Sequence, residues 1–303
     1  MKTFRIKLIL LIFCTILLLW GCEKESTYEF FPDPDFNLTD AEPAWSSCGE
    51  WIAFSHGDTV PGKSGIYKIS PDGEEIHQLH EGGQAPTWSP CGQWIAFSQG
   101  AQIWKKKING DSLTQLTFEG RNFHSAWSPD GNYIAYNQSV CGDIQCGLWL
   151  INLKDTTCYP ITLYGNYPDF HPEKKTILFR RRWVEDSQVL GDRMFSYNYM
   201  TDETTFIIAL QEPNHSNRYL RINSDGKKIV FSSKPRTGKR QIWTMNIDGT
   251  DRNQLTHTQA YSCDWSPCGK YIVYTDSRRE NGRLWIMDAD GSNKRQLTFE
   301  HHF

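Results

Sequence analysis

The sequence predicts an all-β fold, a six-bladed β-propeller of four-stranded antiparallel blades. Three observations carry this: a ten-residue pattern recurs six times, its copies are spaced by the length of one blade, and each copy pairs a turn with aromatic strands. The anchors Trp45, Trp88, Trp127, Phe170, Ile222 and Trp265 lie 43, 39, 43, 52 and 43 residues apart. A period of about 40 to 45 residues is what a four-stranded blade requires.

Each unit justifies its own elements. The anchor ends a first strand and leads into a turn such as Ser128-Pro129-Asp130-Gly131, where Pro fixes φ and Gly accepts a positive φ. A second strand of alternating pattern follows, as in Tyr271-Ile-Val-Tyr274, and a loop of variable length leads to a third with its own aromatic, as in Leu284-Trp-Ile-Met287. An Asp-Gly or Asn-Gly turn then leads into Gln-Leu-Thr at residues 115–117, 254–256 and 296–298. The fourth copy departs: it lacks the Gly, and Arg180 to Arg193 reads as an irregular stretch. Asn37-Leu38-Thr39 resembles a seventh Gln-Leu-Thr, so the ring is expected to close by pairing the two ends of the chain. Ten of the 12 Trp fall on repeat positions; Trp20 and Trp183 do not.

The units Trp265-Ser-Pro-Cys-Gly-Lys-Tyr-Ile-Val-Tyr274 and Leu284-Trp-Ile-Met-Asp-Ala-Asp-Gly291 resemble the repeats of the TolB-type propeller, and the resemblance extends over roughly residues 40 to 300. It implies the propeller part only, because the residues before Leu38 leave no room for that family's separate N-terminal α/β domain.

The first 21 residues are expected to be a lipoprotein signal peptide. Lys2, Arg5 and Lys7 precede a 13-residue run, Leu8 to Trp20, that is apolar but for Thr15 and too short to span a bilayer. Leu19-Trp20-Gly21-Cys22 resembles a lipobox, which implies acylation of Cys22, with residues 22–37 as a tether and 38–303 as the propeller. Glu23 after that Cys suits an outer-membrane destination, on the periplasmic or cell-surface side.

Composition excludes some classes. With 32 Lys+Arg against 35 Asp+Glu, the formal charge is −3, falling to −6 without residues 1–21, so no overall field favours nucleic acid. At 39% hydrophobic residues the chain is no polytopic membrane protein. Nine His offer no HExxH or His-x-His, and no Gly-x-Ser-x-Gly is present. No cofactor and no metal are expected. Propeller lyases acting on pectin oligomers look similar in repeat pattern, and that resemblance implies a set of axial His ligands. Here His124, His171, His215 and His257 stand at different offsets from their anchors, which argues against a shared ring. Cys48, Cys91 and Cys268 replace the Asp of the turn, while Cys141 and Cys146 suit a local disulfide.

The positive signal is basic. Arg181, Arg182 and Trp183, Arg236 and Arg240, and Arg278 and Arg279 are expected in loops between second and third strands of blades 4 to 6, on one face. Arg-rich, aromatic-flanked loops suit bidentate and stacked contacts to anions. The expectation is a non-enzymatic, lipid-anchored binding module or scaffold of the envelope, holding a protein or an anionic glycan there. The alternative is a uronate-lyase-like propeller enzyme with an axial metal site.

Overall fold

The structure is a computed structural model; it describes residues 40–139, 147–185, 188–210, 216–235, 237–277 and 282–299. Cys22, Arg236, Arg278, Arg279, Cys141 and Cys146 lie outside the described residues, as do the signal segment and Asn37 to Thr39.

Six four-stranded antiparallel sheets follow one another along the chain. Blade 1 comprises β1 (Asp40–Trp45), β2 (Ile52–His56), β3 (Gly65–Ile69) and β4 (Ile76–Glu81). Blade 2 has β5 (Gln84–Trp88), β6 (Trp94–Gln99), β7 (Gln102–Lys107) and β8 (Leu113–Gln115), and blade 3 has β9 (Arg121–Trp127), β10 (Tyr133–Ser139), β11 (Gly147–Asn152) and β12 (Cys158–Leu163). Blade 4 consists of β13 (Gly165–Phe170), β14 (Thr176–Glu185), β15 (Gln188–Asn198) and β16 (Glu203–Ala209). Blade 5 holds β17 (Ser216–Ile222), β18 (Lys228–Lys234), β19 (Gln241–Asn246) and β20 (Asn253–Gln254); blade 6 holds β21 (Ala260–Trp265), β22 (Tyr271–Asp276), β23 (Arg283–Asp288) and β24 (Arg295–Gln296). The first strands touch in the cyclic order β1, β5, β9, β13, β17, β21 and back to β1, so they encircle an axis.

Burial explains why aromatics recur on successive strands. Five apolar clusters form, each bridging neighbouring blades, because a blade's two faces are both covered. The cluster of Trp45, Ile52, Phe54 and Tyr67 with Val273, Leu284 and Leu297 joins blade 1 to blade 6. The Gln-Leu-Thr motif ends the fourth strand instead of filling it. Leu116, Leu255 and Leu297 are buried, and the Thr hydroxyls of 117, 256 and 298 accept the N–H of Ile103, Ile242 and Leu284.

One expectation is corrected. The stretch Arg180 to Arg193 is not irregular: β14 and β15 pair from Thr176↔Asn198 out to Glu185↔Gln188. β13 pairs no further than Arg181 and β16 no further than Arg193, so the end of this hairpin stands beyond its blade. The expected closure by the chain ends rests on Asn37 to Thr39 and so lies outside the described residues, among which every blade is built of four consecutive strands. Blade 1 meets blade 6 through Asp40. Its N–H donates to Gly282 O, and its carboxylate accepts Thr298 Oγ1 at 2.7 Å and bonds His56 Nδ1 at 2.7 Å.

Candidate functional site

All six first strands slip register in their middle, between the fourth and the first residue before the anchor in blades 1 to 5 and one residue earlier in blade 6. Three residues before the anchor, five blades place a non-glycine residue at positive φ: Glu42, Ala85, His124, Tyr167 and Tyr219, with φ of 50 to 55°. The bulge turns these N–H groups out of the ladder, and each described partner comes from the preceding blade. Glu42 N donates to Ser262 Oγ, Ala85 N to Glu42 Oε2, and Tyr167 N to Asn137 Oδ1. The bulge therefore locks blade to blade and points one side chain per blade toward the axis.

What converges there is chemically mixed. Glu42 is 6% exposed; its Oε2 accepts Ser55 Oγ and the Ala85 N–H, while Oε1 has no hydrogen-bond partner among the described residues. Burial pushes its carboxyl up from the ordinary range, against those hydrogen bonds and the charge of Arg221. His124 Nδ1 lies 4.0 Å from Glu42 Oε1, too far for a hydrogen bond. Burial and the guanidinium groups of Arg221, Arg218 and Arg180 hold the imidazole neutral, down to about 3. Its ring packs on Tyr167 and edge-on to Tyr219, at centroid distances of 4.7 and 5.7 Å. The cavity between Glu42, His124, Ser125, Tyr219 and Arg221 is about 10 Å³, the size of about one water.

Two residues nearer the anchor, Asp169 and Asp264 flank Arg221 in the neighbouring blades. Asp169 Oδ2 accepts the Ile222 N–H and Asp264 Oδ2 the Trp45 N–H, each at 2.7 Å. Burial raises these carboxyls to about 6 and about 7, against the pull of Arg221. At the other end of the first strands, Arg180 Nη1 donates to Asp192 Oδ1 at 2.7 Å with both side chains buried.

This donor set does not fit the axial metal of the alternative reading. It offers one imidazole and one carboxylate, ringed by guanidinium groups whose field opposes a cation. Among the described residues no group of three His, Cys, Asp or Glu could hold a metal ion. His171 caps its own turn, accepting the N–H groups of Glu173 and Lys174, and His257 is exposed; His215 lies outside the described residues.

The predicted basic residues are placed unequally. Arg181, Arg182 and Trp183 lie on strand β14, not in a loop. Arg181 is half-buried, tied through Nε and Nη2 to Leu163 O and through Nη2 to Thr162 Oγ1. Across the hairpin, Arg193 stacks on the Trp183 ring, its guanidinium carbon 3.8 Å from the centroid. Arg240 leaves the surface patch altogether: it is 3% exposed and donates to Ser216 O. In its place the structure brings Arg218 and Arg221 to the axis beside Arg180. Of the axial residues, sequence reading weighed only His124, because it looked for one residue type repeated, whereas the shared signal is the offset from the anchor.

A family model, the dipeptidyl peptidase IV (DPP IV) N-terminal region, matches residues 58–139. No curated protein matches the sequence. Among solved structures, TolB from Acinetobacter baumannii superposes with a TM-score of 0.70 at 19% identity, covering 86% of this chain and 63% of its own. The chain thus spans less than two thirds of that TolB. An oligogalacturonate lyase in complex with manganese matches at 0.57 and 16% identity, over 84% of this chain and 75% of its own. A nidogen/laminin complex chain matches at 0.59 and 11%, over 86% and 93%. Such different molecules on one architecture fix the fold and leave function to the site. In fold, the chain is a six-bladed β-propeller, and TolB is one of the solved structures that it resembles over most of its length.

Proposed function

We propose that the chain is a non-enzymatic binding module of the cell envelope, tethered to the outer membrane through lipidated Cys22, that holds a protein or an anionic glycan on the face bearing the blade 4 hairpin. The observation that carries this reading is the set of Arg181, Arg182 and Arg193 on the paired strands of the blade 4 hairpin. Trp183 supplies a flat surface beside Arg193. Planar guanidinium groups next to aromatic rings suit carboxylates or sulfates on a polymer, which would lie across the face while the narrow axis stays closed to it.

The test uses the soluble chain against immobilised polygalacturonate and, as a second polyanion, heparin. Arg182→Ala with Trp183→Ala is expected to weaken retention at least about tenfold, the loss of roughly 1.4 kcal/mol, with the melting temperature kept. Retention should fall as salt rises. Unchanged retention by both polymers would sink the reading. Appearance of an unsaturated uronate product in the polygalacturonate arm would move the chain to the lyase class instead.

A further inference from the structure

The anchor turns of blades 6, 1 and 2 carry Cys where the others carry an acid, and the structure shows what that position does. In blade 3, Ser128 Oγ donates to Asp130 Oδ1 at 2.6 Å, and the same oxygen accepts the Asn132 N–H. Cys91 and Cys268 occupy the equivalent place, each Sγ 3.3 Å from the hydroxyl of Ser89 or Ser266. The sulfur stands where the carboxylate oxygen stands and, like it, receives the backbone N–H two residues on, from Gln93 or Lys270, which favours the thiolate. Hydrogen bonds from Ser89 and the Gln93 N–H draw the Cys91 thiol below its ordinary range. For Cys268, partial burial acts in the opposite sense, and Ser266, the Lys270 N–H and the Lys270 charge outweigh it. Cys48 sits likewise 3.4 Å from the Ser46 hydroxyl but differs in having Glu50 Oε2 3.8 Å from its Sγ.

The turns of blades 6 and 1 meet on the face opposite the blade 4 hairpin: a Cβ on Gly49 would stand 3.3 Å from Pro267 Cγ. Outward from that contact opens a cavity of about 660 Å³, lined by Trp45, Cys48, Pro71, Cys268, Tyr271 and Arg295 among others. That is the size of a small-molecule site. Its walls are flat and apolar at Trp45, Pro71 and Tyr271. Arg295 is held in place by the carbonyls of Pro71 and Asp72. The three cysteines are exposed and free, yet only Cys48 and Cys268 line this cavity. Cys91, with the same turn chemistry, does not, and serves as an internal control.

We propose that the cavity between blades 6 and 1 is a modification site, in which Cys268 captures a small organic disulfide carrying a flat and anionic group. Cys268 gives its proton to water and attacks one sulfur of the bound disulfide as the thiolate; a new S–S bond forms, the old one breaks, and the other half departs as a thiolate that takes up a proton from solvent according to its own acidity. One disulfide is consumed and one is made, so no further oxidant is needed. Trp45 and Tyr271 would face the flat group, and Arg295 its charge.

The experiment compares Cys268 with Cys91 on the intact soluble chain, by peptide mass spectrometry after timed labelling. Iodoacetamide, which needs no pocket, should label both at rates within about threefold, following their similar thiolate character. The aryl disulfide 5,5′-dithiobis(2-nitrobenzoate) should label Cys268 at least about tenfold faster than Cys91, with a rate that saturates with reagent as binding predicts. Tyr271→Ala and Arg295→Ala together should return that ratio to the iodoacetamide value, in a protein whose melt is unchanged. Equal preference with both reagents, or a preference that survives the two substitutions, overturns the proposal. A product that has lost two hydrogens and retains no aryl group would overturn it too, replacing capture with a Cys48–Cys268 bridge.

Discussion

Asp192 serves two neighbours at once, taking Arg180 Nη1 at 2.7 Å with one oxygen and the Asn217 N–H at 2.6 Å with the other. Removing one member of a buried, hydrogen-bonded ion pair leaves the other uncompensated, at a cost of about 3–5 kcal/mol. Asp192→Ala is therefore expected to lower the urea-derived unfolding free energy by that amount, and a loss below about 1 kcal/mol would show that water reaches Arg180. His124 predicts a pH effect. Its folded value, about 3, lies below the ordinary 6.5, so the unfolded chain binds the extra proton and stability falls as pH drops below 6.5. Between pH 7 and 5 the native protein should lose about 2 kcal/mol more than His124→Gln does. Parallel curves for the two proteins in urea melts at those pH values would refute this. Asp264 works with the opposite sign: its folded value, about 7, exceeds 3.8, so its contribution is present in acid and is lost as pH rises through 7. Neither Asp192 nor Glu42 was legible as a site residue. Their importance comes from being buried beside groups far along the chain, such as Ser262, 220 residues from Glu42.

At the scale of elements, the turns were legible because they are local. Pro, Gly and an acceptor two residues after a Ser dictate a conformation whatever surrounds them, and the Ser-Oγ-to-Asp pattern of blade 3 recurs with Cys in the same geometry. The β14–β15 hairpin was not legible. Its residues lack the repeat's punctuation, and what makes them strands is cross-strand pairing, which continues where β13 and β16 have ended. Because the far end of the hairpin has no third strand, it adds little to global stability. Replacing residues 184–190 with Asn-Gly, which lets Trp183 and Gly191 flank a two-residue turn, should shift the melting temperature by less than about 4 °C. A drop beyond about 10 °C would mean the hairpin end braces the blade.

Across the whole molecule, the ring is completed by packing between blades 6 and 1 and by Asp40, fully buried among Thr298, His56 and Arg283. Asp40→Ala should cost about 3–5 kcal/mol and lower the melting temperature by at least about 6 °C. Hydrogen exchange should quicken first in β1 and β23, at the seam; uniform quickening through all six blades would argue against a seam at this point. By itself, the sequence determined the number of blades, their boundaries, the turn between first and second strands and which aromatics enter the core, because each depends on a short pattern that repeats. Only the tertiary structure decided how Asp40 joins blades 6 and 1, which side chains meet on the axis, that Arg240 is buried, and that two of the three turn cysteines share a cavity. Those outcomes depend on contacts between residues in different blades, where the repeat places unlike side chains at one equivalent position and no local pattern records which neighbour each will meet.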